Sequence, residues 1–255
     1  MGLEFVRDGE VGRLTFTRSE KKNAITYEMW SAIPRLVAEV ERDPGVKVLV
    51  LTGAGGDFSA GADIGEFGSL RSTAEGATTY DKAVEGAVSA LTGLRKPSIA
   101  MIRGNCIGGG CQLAVACDFR FAAPEARFGI TPAKLGIVYD FPSTRQLVEL
   151  VGPAHARYFL LSGLLVDAAR AREIGLVNDV FADVESEVDS FARTLCSRSQ
   201  SSIRGMNRII EKILAGQGEA DAEVDEIRAA AVHGEDYAEG VAAFLERRPP
   251  RFSYR

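Results

Sequence analysis

Residues 107–118 read Ile-Gly-Gly-Gly-Cys-Gln-Leu-Ala-Val-Ala-Cys-Asp. Three glycines run directly into an apolar helical pattern, and Gln112 is the first polar side chain in it. Glycine loses more backbone freedom on folding than any other residue, so a triplet at a helix start needs a reason. A helix N-terminus offers unpaired N–H groups and a partial positive charge, and glycine allows an oxygen to approach that backbone closely. The alternative reading is a tight turn whose glycines serve only to pack the helix on a sheet. The preceding SIAMIRG (98–104) is an apolar run of the kind expected of a strand covered on both faces. The segment therefore reads strand, glycine loop, helix.

Several glycine-loop chemistries are excluded by what surrounds it. No Gly-Lys-Ser/Thr follows, so this is not a phosphate loop. GNCIGGG lacks the dinucleotide spacing, and no acidic strand end stands about 20 residues on. No Gly-x-Ser-x-Gly elbow is present, which argues against a serine hydrolase. A second cluster, GAGGDFSAGADIGEF (53–67), also follows a buried strand, VKVLVLTG (46–53). Two strand-end loops of this kind can each aim one N–H at a single carbonyl oxygen. Such paired donors stabilise an enolate, at about 3–4 kcal/mol per donor.

The rest of the chain fits an α/β organisation with a parallel sheet. LEFV and VGRLTFT flank Asp8-Gly9-Glu10 as an opening hairpin. Met29, Trp30, Ile33, Leu36, Val37 and Val40 have helical spacing, and Pro44-Gly45 ends that pattern. A helix is expected from the glycine-rich loop to about residue 94, and FRFAA (119–123) reads as a short strand. GPAHARYFLLSG, DAARAREIG and VDSFARTLCSRS supply further helices, and the pattern is all helical from about residue 185. A basic, proline-broken tail, ERRPPRFSYR, closes the sequence.

Composition narrows the partners. The 255 residues are 46% hydrophobic and 25% charged, with net charge −5 and a pI near 5.3. That balance disfavours nucleic acid or an anionic membrane as partner. No window reaches the ~20 apolar residues of a membrane span, and the N-terminal segment lacks a signal-peptide core, so a cytoplasmic location is expected. Cys106, Cys111, Cys117 and Cys196 match no zinc spacing, and His155 and His233 stand far off in sequence. They read as small buried apolar residues, and no metal is expected.

The motifs together resemble the crotonase superfamily, the enoyl-CoA hydratase/isomerase family. KKNAI (21–25), FSAGADI (58–64), KPSIAMIRGNCIGGGCQLAVACD (96–118), ARFGITPAKLG (126–136) and ARAREIGLVN (169–178) occur in that family's order over nearly the whole sequence. The resemblance implies a crotonase (ClpP-like) fold: a spiral of β-β-α units in residues 1–184 and a C-terminal helical oligomerisation region in 185–255. It implies homotrimers, often paired as hexamers, and an acyl-CoA thioester substrate of the kind met in fatty acid metabolism, with no cofactor beyond the coenzyme A of the thioester. By position, the N–H groups of Ala62 and Gly109 would form the oxyanion hole. Backbone near Ala60, Asp63 and Ile64 would hold the adenine, with Lys22 and Arg247 weaker candidates for the CoA phosphates. Glu66 reads as surface.

Two positions depart from that pattern. Hydratases of the family use two glutamates, one to activate water and one to supply a proton. Gln112 stands at the first position and Pro132 at the second, so the substrate pocket keeps its lining without its acids. The following loop, Tyr139-Asp-Phe-Pro-Ser-Thr144, offers two replacements. Asp140 stands eight residues after the second glutamate position, at the offset where dienoyl-CoA isomerases of the superfamily carry a proton-shuttling aspartate. Enclosure by Phe141 and Tyr139 would suit it to act as acid or base; otherwise it is a turn aspartate before Phe-Pro. Tyr139, with TPAKLGIVY and GEDYAEGVAAFLERRPPRF, partially resembles methylmalonyl-CoA decarboxylases, although those carry a histidine where this sequence has Ala62. Three readings follow: an isomerase-like enzyme, a decarboxylase of malonyl-CoA-type thioesters, or a non-catalytic acyl-CoA binder.

Overall fold

A computed structural model describes residues 2–253. Nine strands are present among them: β1 (Leu3–Asp8), β2 (Val11–Phe16), β3 (Val48–Gly53), β4 (Ser98–Ile102), β5 (Asn105–Ile107), β6 (Phe119–Ala122), β7 (Arg127–Gly129), β8 (Val166–Asp167) and β9 (Asp179–Val180). The helices are α1 (Tyr27–Arg42), α2 (Phe67–Leu70), α3 (Ala74–Thr92), α4 (Gly109–Val115), α5 (Phe141–Ser162), α6 (Ala168–Glu173), α7 (Val184–Cys196), α8 (Gln200–Leu214), α9 (Ala222–Val232) and α10 (Glu235–Glu246).

Six strands form one sheet in the order β1-β2-β3-β4-β6-β9, parallel throughout except for the β1/β2 hairpin. A smaller sheet, β5-β7-β8, is parallel at β5/β7 and antiparallel at β7/β8. Each turn of the chain gives one strand to each sheet and then a helix: β4, β5, α4, and next β6, β7, α5. This is the expected spiral of β-β-α units. The turn before them follows the same path with less regular structure, because Ser59 bridges Cys106 and Ala62 bridges Ile25, both in parallel.

The near-continuous apolar run of β3 is explained by its two covered faces. Leu49 and Leu51 face a core that includes Met29, Ile33, Val37 and Val40 of α1. Val48 and Val50 face the other way, in a cluster with Val184, Val188, Ala192 and Cys196 of α7. Each such buried aliphatic side chain contributes about 1.5–3 kcal/mol of burial free energy. The division expected at residue 184/185 thus falls at the first turn of α7, a helix that closes the main sheet. All four cysteines are free and buried.

Some expectations were too simple. The helix expected through residue 94 is broken at residues 71–73, and α3 restarts where Thr73 Oγ1 accepts a hydrogen bond from Gly76 N. The helix around GPAHARYFLLSG begins eleven residues before Gly152, at Phe141, and Gly152 (φ 75°, ψ 163°) marks a kink within it. Of the tail, Tyr254 and Arg255 lie outside the described residues.

Candidate active site

The two glycine loops meet as register partners. Ser59 and Cys106 are paired across the second sheet, and Ala62 and Gly109 each stand three residues further on. Both line a cavity of about 290 Å³. Among the described residues, no acceptor within the chain takes the N–H of either Ala62 or Gly109. Unsatisfied backbone donors at a cavity wall are the requirement for an oxyanion hole.

The glycine triplet has local causes. Gly108 adopts φ 53°, ψ −124°, a conformation that side chains with a Cβ avoid, and its N–H donates to Gly129 O at 2.7 Å. That bond ties the loop to β7. A Cβ on Gly109 would lie 2.7 Å from Trp30 Cζ2, so the α4 N-terminus rests directly on the indole. Both readings of the triplet therefore hold together: the glycines allow close packing, and that packing leaves the Gly109 N–H facing the cavity.

A group of side chains on α4 and at the start of α5 carries the remaining chemistry of the cavity. Gln112 is 4% exposed in the first turns of α4 and lines the cavity. Its Nε2 donates to Asp140 Oδ2 at 3.2 Å and to Ser143 Oγ. A carboxylate only accepts, so its presence fixes which end of the amide faces it. Asp140 also caps α5, because its Oδ1 accepts from Ser143 N at 2.8 Å. The turn reading and the site reading of Asp140 are thus both realised in one carboxylate. The enclosure by Phe141 that the sequence suggested is not found, because that ring is 78% exposed at the helix start.

Tyr139 lines the cavity beside Asp140, and its hydroxyl is pushed well above the usual phenol range by burial, with a smaller effect of Cys111 and Asp140. Pro132 is buried at the start of a 3-10 turn, Pro132–Lys134, and brings no ionisable group to the cavity.

The residues expected to hold coenzyme A divide. Ala60 and Ile64 line the cavity mouth, with Ile64 47% exposed. Ala60 N donates to Lys22 O at 2.9 Å and Asp63 N to Ile25 O at 2.8 Å, so those two N–H groups are already engaged. The Asp63 carboxylate pairs with Arg18 at 2.8 Å and accepts from Gly65 N, which places it in the loop framework. Lys22 is exposed in the left-handed region (φ 50°), and neither Lys22 nor Arg247 lines the cavity. Glu66 is not free surface: it accepts from Tyr27 N at 2.7 Å and so caps the start of α1.

Four cavity or cavity-adjacent residues were not anticipated. Trp30 and Tyr80 read from spacing as ordinary helix positions, yet both line the cavity. Arg71 joins them from the break between α2 and α3, its guanidinium 5.1 Å from the Phe67 ring centroid and 5.3 Å from that of Tyr80, paired with Asp81. Ser143 is the second anchor of Gln112. A lone tryptophan in an apolar helix face carries no signal that separates core from cavity wall; Ser143 had one, as a serine in the first turn of a capped helix.

Known proteins share the sequence pattern and the fold. The enoyl-CoA hydratase/isomerase family model matches residues 7–255. The protein named "Probable enoyl-CoA hydratase echA8" of Mycobacterium leprae is 34% identical over 251 residues, covering 96% of this chain and 95% of its own. A peroxisomal Delta(3,5)-Delta(2,4)-dienoyl-CoA isomerase of Arabidopsis thaliana is 28% identical, with 98% and 96% covered. The crystal structure of an enoyl-CoA hydratase/carnithine racemase from Magnetospirillum magneticum superposes with a TM-score of 0.95 at 33% identity, covering 100% of this chain and 96% of that one. The chain has the crotonase fold and belongs to the enoyl-CoA hydratase/isomerase family of enzymes.

Proposed function

We propose that the protein acts on an acyl-CoA thioester by moving a proton within an enoyl group, in the manner of an isomerase, rather than by adding water. The carrying observation is the hydrogen bond between Gln112 and Asp140. The side chain at the first glutamate position donates its protons to a carboxylate and cannot itself take one at neutral pH. The thioester oxygen is bound by the Ala62 and Gly109 N–H groups, which stabilise the dienolate formed when a proton leaves the acyl chain. Asp140 takes that proton and returns it to another carbon. Gln112 and the Ser143 N–H hold its two oxygens in place, each with a lone pair to spare. The printed name of the Arabidopsis relative, a dienoyl-CoA isomerase, supports this reading.

A decarboxylase would place the departing carboxylate of its substrate near Tyr139, where it would meet the like charge of Asp140, so that reading is the weaker one. The thioester's coenzyme A lies along Ala60 and Ile64, whose carbonyl and N–H respectively have no partner among the described residues. The helices after α7 supply the oligomer interface. Met206, Ile210 and Ile213 of α8 and Tyr237, Phe244 and Leu245 of α10 are all more than half exposed, an apolar area suited to burial between copies in a trimer or hexamer. No helix among the described residues is long and apolar enough to cross a membrane; we place the enzyme in the cytoplasm.

The test is proton exchange and double-bond migration on 3-enoyl- and 3,5-dienoyl-CoA substrates, followed by ultraviolet absorbance and deuterium uptake. Asp140→Asn keeps the helix cap but removes the base, and kcat is expected to fall about 10²–10⁴-fold. Full activity in that variant overturns the assignment. Release of CO₂ from methylmalonyl-CoA, sensitive to Tyr139→Phe, would establish the decarboxylase instead. Binding without turnover across both panels would establish the non-catalytic binder.

A further inference from the structure

Arg120, in β6, is 6% exposed and carries its charge among backbone carbonyls. Its Nε donates to Leu176 O at 2.9 Å, in the turn between α6 and β9. Its Nη1 donates to Cys117 O and, at longer range, to Ala114 O at 3.4 Å and Val115 O at 3.5 Å. Nη2 reaches Asp118 O at 3.4 Å. Ala114 and Val115 end α4, where the regular helical ladder runs out of amide donors. The backbone of Arg120 is pinned as well, since its N–H donates to Asn178 Oδ1 at 2.8 Å and its carbonyl accepts from Asn178 N at 2.9 Å. The neighbouring Asp118 carboxylate is occupied with β4, accepting from Ser98 N at 2.7 Å and Ser98 Oγ at 2.9 Å. Among the described residues Arg120 makes no ion pair. Taking a guanidinium out of water is costly, and apolar side chains of similar volume often replace buried charges at no loss of stability. Stability alone therefore does not account for this residue.

We infer, resting on the oxyanion-hole reading above, that Arg120 is a positioning residue for the reaction: it clamps the C-terminal end of α4 and so fixes the Gly109 N–H relative to the Ala62 N–H. α4 has seven residues, so its ends lie only about 10 Å apart at 1.5 Å per residue. A helix that short moves as one rod, and a displacement of its last carbonyls is passed to its first N–H. Gly109 is its first residue and Gln112 follows one turn on, so the donor and the contact to Asp140 both ride on it. The other donor does not, because Ala62 is held by its bridge to Ile25 on a separate loop. The spacing of the two donors is thus set by where α4 stands. Its N-terminal end is seated on Trp30 and on the Gly108–Gly129 hydrogen bond, and Arg120 holds the other end. Arginine suits the task, since its planar fork presents five donors in fixed directions. Here they tie α4, β6 and the turn before β9 together in one side chain. Misplacing a reacting group by about 1 Å can cost ~10²-fold in rate, so a clamp remote from the substrate can matter to turnover.

The experiment reads the hole directly, with butyryl-CoA carrying carbon-13 at the thioester carbonyl, a ligand with no double bond to move. Donors in the hole polarise that carbonyl, so its infrared stretch is expected to fall on binding to the wild type. In Arg120→Met the fall should shrink to about half, and kcat for double-bond migration should drop about 30–100-fold while KM stays within about 3-fold. Arg120→Lys keeps the charge but not the fork, and should recover part of both, leaving kcat about 3–10-fold below wild type. A side chain needed only for folding would lower the melting temperature and leave the carbonyl stretch and kcat of the folded protein at wild-type values. That result in either variant overturns the inference. Should Arg120→Met fail to fold, Arg120→Lys decides by the same two readouts. Binding to the wild type without any fall in the stretch removes the hole, and the role of Arg120 with it. A lowered stretch without double-bond migration overturns the isomerase reading alone, and the stretch then decides on Arg120. Failure of every thioester to bind would overturn the acyl-CoA reading itself, a distinct result.

Discussion

One wall of the cavity works through backbone, the other through side chains. The Ala62 and Gly109 N–H groups are held by the pairing of Ser59 with Cys106 and of Ala62 with Ile25, with the Trp30 indole packed against the Gly109 backbone. Gln112, Asp140 and Ser143 hold one another by side-chain hydrogen bonds across the gap between α4 and the start of α5. The first wall tolerates change poorly, because any shift moves a strand. The second can exchange its functional groups while the fold persists. On the proposed reading the enolate-stabilising half lies in the backbone and the proton-handling half in side chains, so Gln112 and Pro132 can stand at the two glutamate positions of the resemblance without disturbing the fold.

The largest effect should come from the backbone wall. In Gly109→Ala the new Cβ meets Trp30 Cζ2 at 2.7 Å and Cη2 at 2.9 Å, so the α4 start must move off the indole. Turnover should fall by about 10²–10³-fold, the loss expected of one oxyanion donor, with the melting temperature lowered by only a few degrees. Steady-state kinetics beside thermal unfolding separates the two, and wild-type turnover would show that the Gly109 N–H is not a donor.

Gln112→Glu is the sharper probe of the second wall. It places a carboxyl within hydrogen-bonding distance of Asp140, and two such groups cannot both ionise freely. The pair then holds a proton to higher pH than Asp140 alone. The base form is lost as pH falls through that raised pKa, so the acid limb of the pH–rate profile should move upward, with about 10-fold less isomerisation at pH 6. Because Pro132 still supplies no second acid, hydration of crotonyl-CoA should not rise to match; a strong hydratase would show that the first glutamate alone suffices. The smallest effect is expected of Ser143→Ala. It removes one anchor of Gln112 but leaves the Ser143 N–H on Asp140, so kcat should fall about 3–10-fold with KM little changed and stability reduced by about 1 kcal/mol.

The two walls also differ in how far they can be read from sequence. The apolar runs 46–53 and 98–104, each followed by glycines, carry the strand-loop geometry in their own composition. The Asp140–Gln112 contact joins residues 28 positions apart, and nothing local to either announces the other. Asp140 could be placed near the chemistry only through the family resemblance, and its partner was visible only as a missing acid. The short strands β5, β7, β8 and β9 have two or three residues each, too few for a period of two to register. Trp30 and Tyr80 were hidden for the opposite reason: a periodic apolar face looks the same whether it meets core or cavity.

The equal offset of Ala62 from Ser59 and of Gly109 from Cys106 has a geometric consequence. Adjacent strands are spaced about 4.8 Å apart. Two N–H donors at that separation, each about 2.9 Å from a shared oxygen, subtend an angle of roughly 110° at it, near the angle between its lone pairs. On the proposed reading, a hole of that bite needs only two bare N–H groups held at about the spacing of adjacent strands, which paired strand-end loops can supply.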